Sequence, residues 1–239
     1  MTAPEPEPGP GSERPARSAP PAVRIGLRPV ASPAPMGFAA LAVATLLLSM
    51  LQLGWLSYGD GTHVSIAVIT FAFPLQLIAG LFGFLARDAV VGTSMAVLSV
   101  TWLATGVVKV TLPVGTVTSP TLGVLTLAVA LILLVPVAGG AETGKLLAST
   151  VLLAASVRFF FTAGYEFTGA QLWATVAGLV GLVLCVIALY AALALLLEDV
   201  CKRAVLPVFR RGVGSTSAWG DLRDQQGDIE SEAGVRERL

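Results

Sequence analysis

Six runs of about 20 apolar residues, almost free of charge, constrain this chain more than any other feature. Each is long enough to cross a hydrocarbon core of about 30 Å at about 1.5 Å per helical residue. They lie near 36–57, 63–86, 91–112, 121–140, 145–165 and 172–197. Hydrocarbon offers a backbone amide no partner, so a spanning run must satisfy its amides internally, and a helix does so. The connections SYGDG, ARDAV, PVGTVTSP, GGAET and YEFTGAQ are short and turn-like, which makes consecutive helices antiparallel neighbours. The expected fold class is an all-α integral membrane protein, a six-transmembrane-helix bundle with disordered tails. Only 13% of the 239 residues are charged, about half the share in a soluble domain.

Three regions follow. Residues 1–31 alternate proline with charge and cannot bury a core, which predicts a disordered cytoplasmic tail. Residues 32–199 hold the six spans. Residues 200–239 form a polar cytoplasmic tail, with a short helix near its end.

Lysine and arginine set the orientation. Arg14, Arg17, Arg24 and Arg28 precede the first span, and Arg87 and Lys145 lie in later connections. Lys202, Arg203, Arg210, Arg211, Arg223, Arg236 and Arg238 follow the last. With six spans all of these share one side, and the opposite loops carry none. Both termini are therefore expected in the cytoplasm, and the chain in a plasma membrane as a multi-pass protein surrounded by lipid. The first run starts too far from the N-terminus and is too long for a cleavable signal, so it reads as an anchor.

Several classes of chemistry are not visible. There is no P-loop, no HExxH and no cluster of cysteine and histidine, so neither an enzyme nor a bound cofactor nor a metal site is expected. The formal net charge is zero, which provides no basic footprint for nucleic acid. Cys185 and Cys201 fall on one predicted helix, about 24 Å apart, far beyond disulfide reach.

The seam between the first tail and the first span reads Ser32, Pro33, Ala34, Pro35, Met36, Gly37. Pro35 suits the first turn of a helix, where an N–H would lack a partner, and Pro33 keeps the preceding chain extended. SPAPMG also resembles the N-P-A-P-L-G signature of the acetate uptake transporters, the succinate–acetate permease or YaaH-type family. Three further stretches match in order: QLIAGL at Gln76 to Leu81, Trp102 at the expected distance, and Tyr190 followed by EDVCKRAVLP. The resemblance covers residues 32–208, all six spans. It implies a permease or channel for small monocarboxylates, acetate first and succinate next, moved with a proton or as the neutral acid. It also implies a homohexamer with one pore per protomer. Aligned through the motifs, the family's Phe–Tyr–Leu constriction falls on Leu41, Leu98 and Ala154, so an aromatic gate becomes a smaller aliphatic one. Ser32 stands where the family has asparagine. A channel for neutral solutes such as urea, ammonia or water, and a non-transporting membrane scaffold, are the rival readings.

Polar groups inside the spans are the candidates for function. Gln76 is expected to line the substrate path. Gln52 either lines it or bonds a neighbouring helix. Arg158 lies deep in the fifth span and is read in two ways: an anion attractor facing the pore, or an arginine that snorkels or pairs with Glu166. Lys109 reads as an interfacial anchor and His63 as a surface group beside Asp60, with pH sensing the alternative reading of the histidine. Pro74 and Pro136 either kink their helices or free carbonyls. Gly80 with Gly83, and Ala177 with Gly181, have the spacing of close helix packing. No aspartate or glutamate lies at mid-depth, so a carboxylate proton relay is not expected and the substrate itself would carry the proton.

Overall fold

The computed structural model describes residues 31–113, 115–201 and 203–212. The first tail, the far part of the second and the helix expected near its end lie outside the described residues.

Each apolar run becomes a helix. Helix α1 spans Ala34–Gln52. The second run is composite: α2 (Gly61–Ala67), a π-helical turn (Val68–Ala72) and α3 (Phe73–Leu85). Helices α4 (Ala89–Thr111), α5 (Pro120–Glu142), α6 (Leu146–Thr168) and α7 (Gln171–Cys201) complete the set. Among the described residues, six helical stretches are long and apolar enough to cross a membrane. The chain is a multi-pass membrane protein. Helix α1 begins and α7 finishes at the same end of the bundle, called here the terminal end; the opposite end is the far end.

Local signals explain the boundaries. Pro35 occupies the first turn of α1, where no carbonyl is waiting for its missing N–H. Helix α1 stops at Gln52, five residues short of the expected 57, because Gly54 turns the chain with φ +73°. The Asp88 carboxylate caps α4 by accepting from Val91 N at 3.1 Å. Gly169, left-handed at φ +66°, ends α6. In the second span a proline at position 74 would clash with the carbonyl four residues back in an ideal α-helix. The π turn sits immediately before it and widens the backbone there. Pro136 lies buried within α5, with no break in that helix.

The most extensive pairings are α5 with α6, α1 with α7, and α3 with α4. Small residues permit the last. A Cβ on Gly83 would lie 2.7 Å from the backbone nitrogen of Gly92, and one on Gly80 would lie 2.9 Å from that of Ala96. The two helices therefore touch backbone to backbone. The outward surface carries large apolar side chains such as Leu81, Val135, Leu172 and Val200, as lipid-facing positions require.

At the terminal end the chain folds back after α7. Arg210 forks onto Glu198 at 3.0 and 2.9 Å, Tyr190 Oη donates to the Pro207 carbonyl at 2.8 Å, and Arg211 N donates to the Gly144 carbonyl at 2.9 Å. The Tyr190 and EDVCKRAVLP stretch thus holds a short strap across that end.

Replacing Gly83 with valine should cost about 1–3 kcal/mol, since the overlap is with backbone that cannot swing away. The check is the unfolding midpoint of the purified protein in micelles; an unchanged midpoint contradicts the α3–α4 contact.

Candidate functional site

Two cavities open from opposite ends of the bundle. The far-end cavity has a volume of about 460 Å³ and the terminal one about 50 Å³. The small cavity is bounded by Ser32, Ala34, Phe38, Asp88, Lys145 and Arg210, among others. Lys145 Nζ there lies 2.7 Å from Asp88 Oδ2. Part of the SPAPMG stretch, Ser32 and Ala34, therefore borders the terminal cavity, with Ser32 exposed, Met36 half-buried, and Pro33, Ala34, Pro35 and Gly37 buried.

Between the cavities the bundle is closed. Counting about 1.5 Å per residue from the terminal end, Leu41 lies about 10 Å in, Leu98 and Gln76 about 13 Å, and Ala154 about 12 Å. Leu41, Leu98 and Gln76 have no exposed surface. Ala154 is half-buried against the core, and none of the four borders either cavity. Gln76 is held on three sides. Its amide nitrogen donates to the Gly37 carbonyl at 3.1 Å and lies 3.7 Å from Met95 Sδ; its oxygen accepts from Trp102 Nε1 at 2.5 Å. The SPAPMG, QLIAGL and Trp102 features, scattered along the sequence, are thus one hydrogen-bonded joint of α1, α3 and α4. Trp102 lies against Phe159, ring centroids 5.6 Å apart, and these two rings line the far-end cavity.

Arg158 also lines that cavity, about 18 Å from the start of α6. It is 1% exposed. Its Nη2 donates to Gln52 Oε1 at 3.1 Å. Its Nε has no hydrogen-bond partner, and neither does the nearby Ser49 Oγ. Among the described residues no carboxylate pairs with it. Space for the side chain comes from Gly181: a Cβ there would lie 2.5 Å from Arg158 Nε and would also strike Ser49 Oγ. Gln52 Nε2 donates onward to Thr162 Oγ1 at 3.3 Å, and Gln171 Nε2 donates to the Gln52 carbonyl at 3.3 Å. Gln52 therefore cross-links α1, α6 and α7 and turns its oxygen toward the guanidinium.

Glu166 does not serve Arg158. It pairs with Lys109 at 2.7 Å, and its second oxygen accepts from Ser119 N at 2.8 Å. Lys109 Nζ also donates to the Val117 carbonyl at 2.8 Å. Lys109 is thus tied into the fold. His63 is surface-exposed, 3.9 Å from Asp60. Cys185 and Cys201 are free thiols on α7.

Sequence reading missed the Gln52–Arg158–Thr162 cluster and the Lys109–Glu166 pair. One signal was present. Arg158, Thr162 and Glu166 recur at four-residue spacing, which puts them on one face of α6; all three line the cavity.

No family model and no curated protein matches the chain. A solved structure does. The bacterial acetate channel SatP superposes with a TM-score of 0.66 at 24% sequence identity, over 74% of this chain and 98% of that one. The fold is that of SatP. The part of the chain that superposes is long enough to match nearly the whole of that channel.

Replacing Gln76 with leucine would leave the buried Trp102 Nε1–H without an acceptor. The expected loss is about 1–3 kcal/mol, measured by chemical unfolding in micelles; wild-type stability would contradict the joint.

Proposed function

We propose that this chain is a divergent member of the acetate uptake transporters, a plasma-membrane permease or channel for small monocarboxylates with acetate first among them. The observation that carries this reading is Arg158: a buried cation beside a cavity, held by an amide rather than a carboxylate. Burying an ion without a counter-ion costs several kcal/mol. A bound carboxylate supplies the missing charge and fills the unmet Nε donor. The fold shared with an acetate channel supports the same conclusion.

In this reading both termini face the cytoplasm and the larger cavity faces outward. Acetate enters it and meets Arg158. The joint of Leu41, Leu98, Gln76 and Trp102 stands between it and the terminal cavity, with Ala154 at the same height. A bare carboxylate cannot cross a dry aliphatic collar, since the idealised cost is tens of kcal/mol. Among the described residues no carboxylate side chain stands there to relay a proton. Acetate therefore takes a proton from water and crosses as the neutral acid, so transport is electroneutral. The protein is expected to assemble as a homohexamer, each protomer with its own path.

Two measurements test this. Arg158→Leu should lower labelled acetate uptake into proteoliposomes by about tenfold or more, the worth of one charge-assisted hydrogen bond of about 1.5–3 kcal/mol. Unchanged uptake contradicts it. Uptake by the unaltered protein should rise as outside pH falls toward the pKa of the acid, because the crossing species is the protonated substrate. A rate that stays flat over that range rules out neutral-acid passage.

A further inference from the structure

The far-end cavity holds three charged side chains among its lining residues: Lys109, Arg158 and Glu166. Two of them cancel. Lys109 Nζ lies 2.7 Å from Glu166 Oε1 and 2.8 Å from the Val117 carbonyl, and Glu166 is 4% exposed. The second Glu166 oxygen is taken by Ser119 N at 2.8 Å. Arg158 lies two turns deeper on the same helix, about 12 Å along its axis, with Nε unmet and, among the described residues, no carboxylate paired to it. The cavity therefore carries one uncompensated positive charge.

We propose that Glu166 sets the charge selectivity of this cavity: by taking Lys109 out of play it leaves a site for one monoanionic carboxylate and refuses dianions. The inference rests on the reading of the chain as a carboxylate permease and decides between the two substrates which that reading allows. A monocarboxylate at Arg158 neutralises the site. A four-carbon dicarboxylate bound there by one end keeps its other carboxylate in the cavity, where the remaining charges are Glu166 and a lysine already paired to it. The second carboxylate finds no free cation, and it meets a like charge in a space partly shut off from water, where repulsion is screened less than at an open surface. Glu166 also pins residues 117–119 across the cavity mouth through Ser119 N, while Lys109 pins them through the Val117 carbonyl. The pair is therefore fixed in place rather than free to turn toward a ligand. Glu166 acts through Lys109 and through the charge count, which makes it a specificity residue rather than a substrate-binding one.

The test measures labelled acetate and labelled succinate uptake in proteoliposomes, at an outside pH where succinate is a dianion. The unaltered protein should carry acetate with little succinate. Glu166→Gln frees Lys109 and should raise the succinate-to-acetate ratio by about tenfold, the worth of one added charge-assisted contact. Lys109→Gln leaves Glu166 unopposed and the cavity neutral, so acetate uptake should fall several-fold although Lys109 touches no acetate. Lys109→Gln with Glu166→Gln restores a single net charge, and the ratio should return toward that of the unaltered protein. Folding is read separately from the unfolding midpoint and from the rise in midpoint that acetate or succinate produces. That ligand-induced shift should favour succinate in Glu166→Gln even if its transport is slow. Dianionic succinate carried as well as acetate by the unaltered protein overturns the proposal, and so does a folded Glu166→Gln whose midpoint succinate raises no more than it does in the unaltered protein; both leave the acetate reading standing. Absence of acetate uptake in the unaltered protein overturns the permease reading itself.

Discussion

Hydrocarbon gives a polar group nothing to bond to, and the rest of this structure answers to that constraint. It makes every spanning run helical. It also demands a partner for each polar side chain that the runs carry inward. Most of the buried hydroxyls meet the demand locally: Thr45, Ser94, Thr101 and Thr126 bond carbonyls three or four residues back on their own helices. Ser156 reaches across instead, to the Ala130 carbonyl of α5 at 2.6 Å. Gln76 and Gln52 reach further and tie together helices distant in sequence. Arg158 alone among the charged side chains at mid-depth is left with an amide for company, and that shortfall marks the site.

The closed centre and the open ends follow from side-chain size. Leu41, Met95, Leu98, Trp102 and Leu152 fill the middle completely. Toward the far end the cavity wall mixes large side chains such as Leu51 and Phe159 with small ones such as Gly61, Ser65 and Thr105, and the space between them is what a small solute can occupy. Gly181 has a more particular role. It leaves room on α7 for a guanidinium that has no other place to lie. Burying that charge without a carboxylate carries a cost in stability that no other contact among the described residues offsets. At the terminal end the opposite arrangement holds. Asp88 with Lys145, and Glu198 with Arg210, are pairs of full charges that fasten connections and the strap.

Much of the fold was legible. Six apolar runs with short connections allowed few arrangements other than an antiparallel bundle, and the helix ends at Pro35, Asp88 and Gly169 follow from familiar backbone rules. The composite second span was only half legible. Pro74 signals a disturbance, yet a kink, a break and a π turn all answer it, and the residues alone do not choose among them. The site was less legible still. Arg158 stood out by depth, and its four-residue spacing to Thr162 and Glu166 placed them on one face. Its link to Gln52, 106 residues away, has no sequence signal, because nothing along a chain records which helices become neighbours. The pairing weighed for Arg158 was Glu166, reasonable on charge alone; the structure gives Glu166 to Lys109, a residue on another helix that reaches it from the side.

The sequence by itself determined that this chain crosses a membrane six times, because hydropathy and backbone hydrogen bonding depend only on what each segment contains. It also determined that one arginine would be carried into the bilayer without a carboxylate at its own depth. Only the tertiary structure decided which charge meets which. Ion pairs, the Gln76 joint and the cavity are relations between helices, and a few ångströms of packing separate a cation that is paired with a carboxylate from one that is held by an amide.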